Sequence, residues 1–138
     1  MSYPIKNLQM SMNQHYAELL DRLDWDLFCT FTTERPLKRS SARFHMTKLC
    51  KILKVPVRAG IFWITEAFKS GEGHHIHALI KTKVPGTVIK SWWENRHGRC
   101  TVDEFDKNRG GADYVTKYLD QGQNDFDIIP QEQDNNQK

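Results

Sequence analysis

With 138 residues, 38% of them hydrophobic, the chain can fill one ordinary domain core, and no run of about 18 apolar residues offers a transmembrane helix. The formal charge of +3 hides an asymmetry: the last 18 residues hold four acids and one base, so residues 1–120 carry +6, which favours a polyanionic partner such as nucleic acid. Cys29, Cys50 and Cys100 are odd in number, widely spaced and without a CxxC, which argues against a disulfide framework and a cysteine zinc site. The opening MSYPIKNLQM has no apolar signal core, so the expected compartment is the reducing cytoplasm, or that of a host cell, with no membrane partner.

In chain order, Asn13 to Asp24 predicts a helix, with Tyr16, Leu19, Leu20 and Leu23 as its apolar stripe. Trp25 to Thr33 is aromatic, Thr-rich and alternating at Trp25, Leu27, Cys29 and Phe31, which predicts a strand. A basic, proline-containing loop follows. Ser40 or Ser41 can cap a second helix over Ala42 to Leu53, striped by Ala42, Met46, Leu49 and Leu53. Lys38, Arg39 and Arg43 make its entry the densest basic patch.

Phe62 to Lys81 predicts a hairpin of two strands joined through Ser70-Gly71-Glu72-Gly73. Thr87 can cap a third helix reaching Arg96, with Ile89, Trp92 and Trp93 inward. Trp63, Trp92 and Trp93 lie in apolar patterns, and core packing is expected for at least two of them. Arg99 to Phe105 predicts a short strand, and Ala112 to Leu119 a last short helix. The Gln/Asn/Asp-rich segment from 121 to 138 predicts a disordered acidic tail behind a domain spanning 1–120, although its DFDII stretch can dock locally. This order predicts an α+β fold with a mainly antiparallel sheet and helices largely on one face.

Chemistry enters at the hairpin. His75 and His77 are two apart on a strand and therefore share a face. With the turn centred on the glycines, Glu66 falls roughly opposite His77, and cross-strand Cβ atoms sit about 5 Å apart. Two imidazoles and a carboxylate suit a divalent metal with open positions. A histidine-rich surface strand touching only water would carry the same residues. In the last predicted helix, Tyr114 and Tyr118 are i, i+4 neighbours beside Lys117. A metal next to a helix-borne tyrosine could polarise a phosphodiester for attack. Taken alone, the two tyrosines read as half-buried amphipaths.

His75-Ile76-His77, followed by Tyr114-Val115-Thr116-Lys117, resembles the HUH endonuclease superfamily, on its branch of rolling-circle replication initiators (Rep) of phages, viruses and plasmids. Phe28-Cys29-Thr30-Phe31-Thr32 matches the family's first motif, and Glu66 matches the strand acid that completes its metal site. The resemblance covers Trp25 to Leu119.

It implies a ferredoxin-like or RRM-like sheet with the His-x-His on a central strand. It also implies Mg2+ or Mn2+ held by Glu66, His75 and His77, and nicking and joining of single-stranded DNA or a hairpin origin through a 5′-phosphotyrosine. Tyr114 would be the nucleophile with Lys117 beside it, and Tyr118 is either a second nucleophile or a packing aromatic. Lys38, Arg39, Arg43 and Arg99 would follow the DNA backbone. No GxxxxGK[ST] is present, so a separate helicase and a host polymerase are implied partners, and a homodimer is compatible with the pattern. The single-strand transposases of insertion elements share much of this pattern but carry Gln where this chain has Lys117. A non-catalytic RRM-like nucleic-acid binding module and a hydrolase without a covalent intermediate are the remaining alternatives.

Overall fold

The structure, a computed structural model, describes residues 17–18, 20–21, 24–53, 60–70, 73–106, 108 and 126–129. Among the described residues, five strands form one antiparallel sheet: β1 (Leu27–Phe31), β2 (Gly60–Ala67), β3 (His74–Lys81), β4 (Cys100–Glu104) and β5 (Phe126–Ile129). Their order is β4-β1-β3-β2-β5, so β3 pairs with β1 on one side and β2 on the other. Two helices with described ends, α1 (Ala42–Leu53) and α2 (Gly86–Glu94), pack with it in an α+β architecture, and a 3-10 turn (Arg39–Ser41) leads into α1. Among the described residues, no helix is long and apolar enough to cross a membrane.

Strand alternation splits the side chains into two layers. Cys29, Phe31, Ile61, Trp63, Ile76, Ala78, Ile80 and Cys100 pack with Ala42, Met46, Leu49 and Leu53 of α1 and with Ile89 and Trp93 of α2. The predicted stripe of α1 is therefore its buried face. The residues one step out of phase face the other way. Phe62, Ile64 and Leu79 cluster there with Leu20, Trp25 and partly buried Phe28 and Phe105. Ala17, Glu18, Leu20 and Asp21 are helical, inside the first predicted helix. Trp25 precedes the strand rather than opening it, and its indole N–H donates to the Leu20 carbonyl at 2.8 Å.

Several expectations need local correction. α2 begins at Gly86 behind Pro85, with no side-chain cap, so Thr87 is inside the helix rather than capping it. α1 is entered through the 3-10 turn, which places Ser40 and Ser41 in helical backbone. Trp63 and Trp93 are fully buried, while Trp92 is only partly so.

The tail needs the largest correction. Phe126–Ile129 is not disordered but pairs with Ile61–Ile64. Phe126–Ile129 lies beyond the boundary expected at 120, and its pairing is the local docking open to the DFDII stretch. The reason is the unpaired edge that β2 would otherwise present, since an apolar strand edge satisfies its backbone by accepting another strand. Arg43 of α1 forms an ion pair with Asp127 and stacks over the Trp63 ring at 5.3 Å, which joins β5 to the helix layer.

Candidate metal centre

The β2–β3 hairpin closes between Ala67 and His74, with the Phe68 N–H donating to the Gly73 carbonyl at 3.0 Å. Gly73 has φ +90°, and a Cβ there would lie 2.8 Å from the Pro36 Cα, so both its backbone and its neighbour require glycine. This turn centres one residue earlier than the glycines suggest. Glu66 consequently lies directly opposite His75, not His77, and His77 faces Ile64. A shift of two in pairing keeps every side chain on its face, and a diagonal neighbour remains within reach of a long side chain.

The carboxylate therefore meets both rings. Glu66 Oε1 lies 2.5 Å from His75 Nε2 and 2.8 Å from His77 Nε2. Ligand atoms of all three residues lie within 4.8 Å of one another, the one such group of three among the described residues. The imidazoles sit edge to face, 4.6 Å between centroids. Phe68 packs against His75 edge-on at 4.8 Å, and Phe28 stacks on His77 at 6.0 Å. From the other side, Thr30 of β1, the direct cross-strand partner of His77, places Oγ1 3.1 Å from Nδ1. Three adjacent strands thus build one site.

Burial grades across it. The His77 side chain is 6% exposed, His75 18% and Glu66 24%, so the group opens to solvent on the His75–Glu66 side. Burial pushes the Glu66 carboxyl up, but the bonds from His77 and His75 outweigh it and hold the group below its usual range. Burial pushes His77 down; the bond to Glu66 opposes this, the charge of His75 reinforces it, and the net direction is down. A depressed carboxyl and an imidazole kept neutral are the protonation states that metal ligation requires.

The donor set fits a divalent cation. An octahedral ion with ligands at about 2.1 Å sets neighbouring donors roughly 3 Å apart; Glu66 lies near that distance from each histidine, and the three ligand atoms together lie within 4.8 Å. Two nitrogens and one carboxylate on one side leave further positions for water or substrate oxygens.

The other sequence candidates are distributed differently. Lys38 lines a cleft beside the 3-10 turn, Arg39 lies exposed within that turn, and Arg43 is engaged by Asp127. Arg99 is exposed beside Glu34, Glu94 and Gly98. His74 leaves the metal group, its Nδ1 lying 3.3 Å from the Leu37 carbonyl oxygen. Tyr114, Lys117 and Tyr118 lie outside the described residues. Thr30 is the contributor that sequence reasoning missed as a partner of the histidines. Its signal was present, a polar residue on the same strand face as Phe28, but only the pairing of β1 with β3 gives it meaning. Comparison with known protein families, with characterised proteins and with solved structures finds nothing that matches this chain.

Proposed function

We propose that this protein is a metal-dependent nicking and joining enzyme for single-stranded DNA, acting in rolling-circle-type replication. The observation that carries the reading is the convergence of Glu66, His75 and His77 on one sheet face, with Thr30 behind His77. The antiparallel α+β architecture is compatible with the ferredoxin-like fold that the HUH resemblance implies.

In this reading Glu66, His75 and His77 hold Mg2+ or Mn2+, which would polarise the scissile phosphate and screen its charge. Thr30 orients His77. The Tyr114 hydroxyl loses its proton and its oxygen bonds to phosphorus. The bond from phosphorus to the 3′-oxygen breaks, and that oxygen takes up through solvent the proton the tyrosine released, leaving a free 3′-OH and a 5′-phosphotyrosine. The ester conserves the bond for rejoining, in which the 3′-OH displaces the tyrosine. Lys117 offsets negative charge beside the phosphate.

The test is incubation with pooled single-stranded oligonucleotides and Mn2+, followed by denaturing electrophoresis. A protein–DNA adduct that survives denaturation and disappears in Tyr114→Phe supports the reading. Cleavage without an adduct would replace it with simple hydrolysis. Binding with neither cleavage nor adduct would leave a non-catalytic nucleic-acid module.

A further inference from the structure

A second cluster lies on the helix side of the sheet, where the loop after β1 meets the turn after α2. A cleft of about 500 Å3 opens there, lined by residues that include Arg35, Lys38, His45, Arg96 and His97. Among the described lining residues the one carboxylate is Glu34, beside two guanidiniums and an ammonium. Arg35, Lys38 and Arg96 are exposed, whereas His45 and His97 are half-buried.

The two rings meet edge-on, 4.5 Å between centroids, and each also contacts the buried Trp93. Among the described residues, His45 Nδ1 is buried without a hydrogen-bond partner. A buried polar nitrogen left unpaired is unfavourable, and such an atom in a cleft wall is an indication of a ligand or water partner.

The cleft is a fixed feature of the backbone. The lining stretch Thr33 to Leu37, with Thr32 before it, is held between two glycines. Gly73 lies against Pro36, and a Cβ on Gly98 would come 2.5 Å from the Thr32 carbonyl oxygen. The Thr32 N–H and carbonyl pair with Arg99, and the Glu34 N–H donates to the His97 carbonyl. The Trp93 indole N–H donates to the Thr32 carbonyl at 2.8 Å.

An aromatic surface adjoins it. Phe44 is 59% exposed and lies edge-on to His45 at 5.8 Å, with the Lys48 ammonium 4.5 Å from its ring centroid. Cationic groups beside an exposed aromatic ring are the two elements by which proteins hold single strands, phosphates by charge and bases by stacking.

The cleft also connects with the metal group. Thr30, which touches His77, and Thr33, which lines the cleft, are three residues apart at the end of β1, about 10 Å for extended chain. His74, next to His75, contacts Leu37 of the cleft wall.

We propose that this cleft is a second, non-catalytic DNA subsite. It would take a backbone phosphate of the single strand among Arg35, Lys38, Arg96 and the His45–His97 pair, with a neighbouring base on Phe44. The subsite rests on the nicking and joining reading for its substrate class. It would anchor the strand beyond the scissile phosphate, after the strand passes over the sheet end where β1 and β3 meet.

The test is fluorescence anisotropy of a labelled mixed-sequence single-stranded oligonucleotide with the Tyr114→Phe protein in EDTA, across a salt series. Arg35→Gln with Arg96→Gln is expected to weaken binding on the order of tenfold and to flatten the log K against log salt slope by about 0.7, the value for one lost phosphate contact. Phe44→Ala is expected to weaken binding about 5- to 150-fold. Lys51→Gln, an exposed base elsewhere on α1, serves as the charge control and should change little. Arg96 Nη1 also donates to the Trp92 carbonyl, so melting curves accompany each variant, and Arg35→Gln with Lys38→Gln replaces the pair if Arg96→Gln unfolds.

Normal binding by all cleft variants, with tyrosine-dependent capture intact in the wild type, would overturn the subsite alone. Absence of oligonucleotide binding and capture in the wild type would overturn the nicking reading and the subsite with it. Competition by a nucleoside monophosphate as strong as by the oligonucleotide would assign the cleft to a free nucleotide and overturn its role in holding a strand.

Discussion

Thr30 Oγ1 lies 3.1 Å from His77 Nδ1, across the β1–β3 ladder and on the far side of the ring from Glu66. A hydroxyl both donates and accepts, so this one contact serves two protonation states. With no ion present, Nε2–H donates to the Glu66 carboxylate and the threonine O–H donates to Nδ1. With Nε2 on a cation, Nδ1–H donates to the threonine oxygen. Thr30→Val removes both options at nearly constant shape. Calorimetric titration with Mn2+ should show about a 10- to 100-fold loss of affinity, with Thr30→Ser close to wild type.

Metal binding should also be visible in stability. An ion that binds only the folded chain stabilises it by about 2.7 kcal/mol when present at 100 times its Kd. Mn2+ should therefore raise the melting temperature of the wild type by several degrees, reversibly with EDTA. In Glu66→Ala or His77→Ala the rise should vanish. An equal rise in Glu66→Ala would place the ion elsewhere.

The proposed nucleophile is tested by paired tyrosine variants. Tyr114→Phe is expected to abolish the denaturation-resistant adduct while leaving oligonucleotide affinity within about threefold, because loss of one hydroxyl removes little binding area. Tyr118→Phe is expected to retain the adduct. Capture that persists in Tyr114→Phe and disappears in Tyr118→Phe would exchange the two roles.

Acid should weaken the metal-free protein through its histidines. Burial is the first cause that lowers His45, His97 and His77; the His97 ring and then Lys48 add to it for His45, and Arg96 and then Lys48 for His97. All three therefore titrate below the ordinary imidazole value of about 6.5. As pH falls, the unfolded chain takes up protons first. Their contribution is complete above about pH 6.5 and is lost on descent toward their folded-state values. Melting temperature in EDTA should fall between pH 7 and pH 5, and less steeply in His45→Gln with His97→Gln. Glu66, held low in the folded state, adds a separate loss further down, below the ordinary carboxylate range.

Removing β5 gives a structural prediction. Truncation after Asp125 deletes four cross-strand pairs and the Asp127 partner of Arg43. At roughly 0.2–1 kcal/mol per pair, about 1–4 kcal/mol of stability should be lost. Hydrogen exchange at Ile61–Ile64 should accelerate, and self-association should increase as the β2 edge is uncovered. Unchanged exchange there would exclude β5 as the partner of that edge.

Much of this was legible in the chain itself. Apolar stripes identify α1 through Ala42, Met46, Leu49 and Leu53, because a helix buries one face at fixed spacing. Period two identifies the strands, and with them the fact that His75, His77 and Glu66 share a face. These are properties of local geometry, which neighbouring residues determine.

Register, pairing and closure are not local. Which histidine Glu66 stands opposite depends on where the turn closes, and the observed register pairs it with His75. Phe126–Ile129 carries a polar, acidic context that reads as tail, and it becomes a strand only because β2 offers an open edge. His45 and His97 lie 52 residues apart and attract no notice until α1 and the turn after α2 pack on the same Trp93. The sequence by itself determined the hairpin and the shared face of Glu66, His75 and His77, since alternation and a short loop suffice for them. Only the tertiary structure decided that Thr30 backs His77 and that a basic cleft adjoins them, because both require strands and helices distant in sequence to meet.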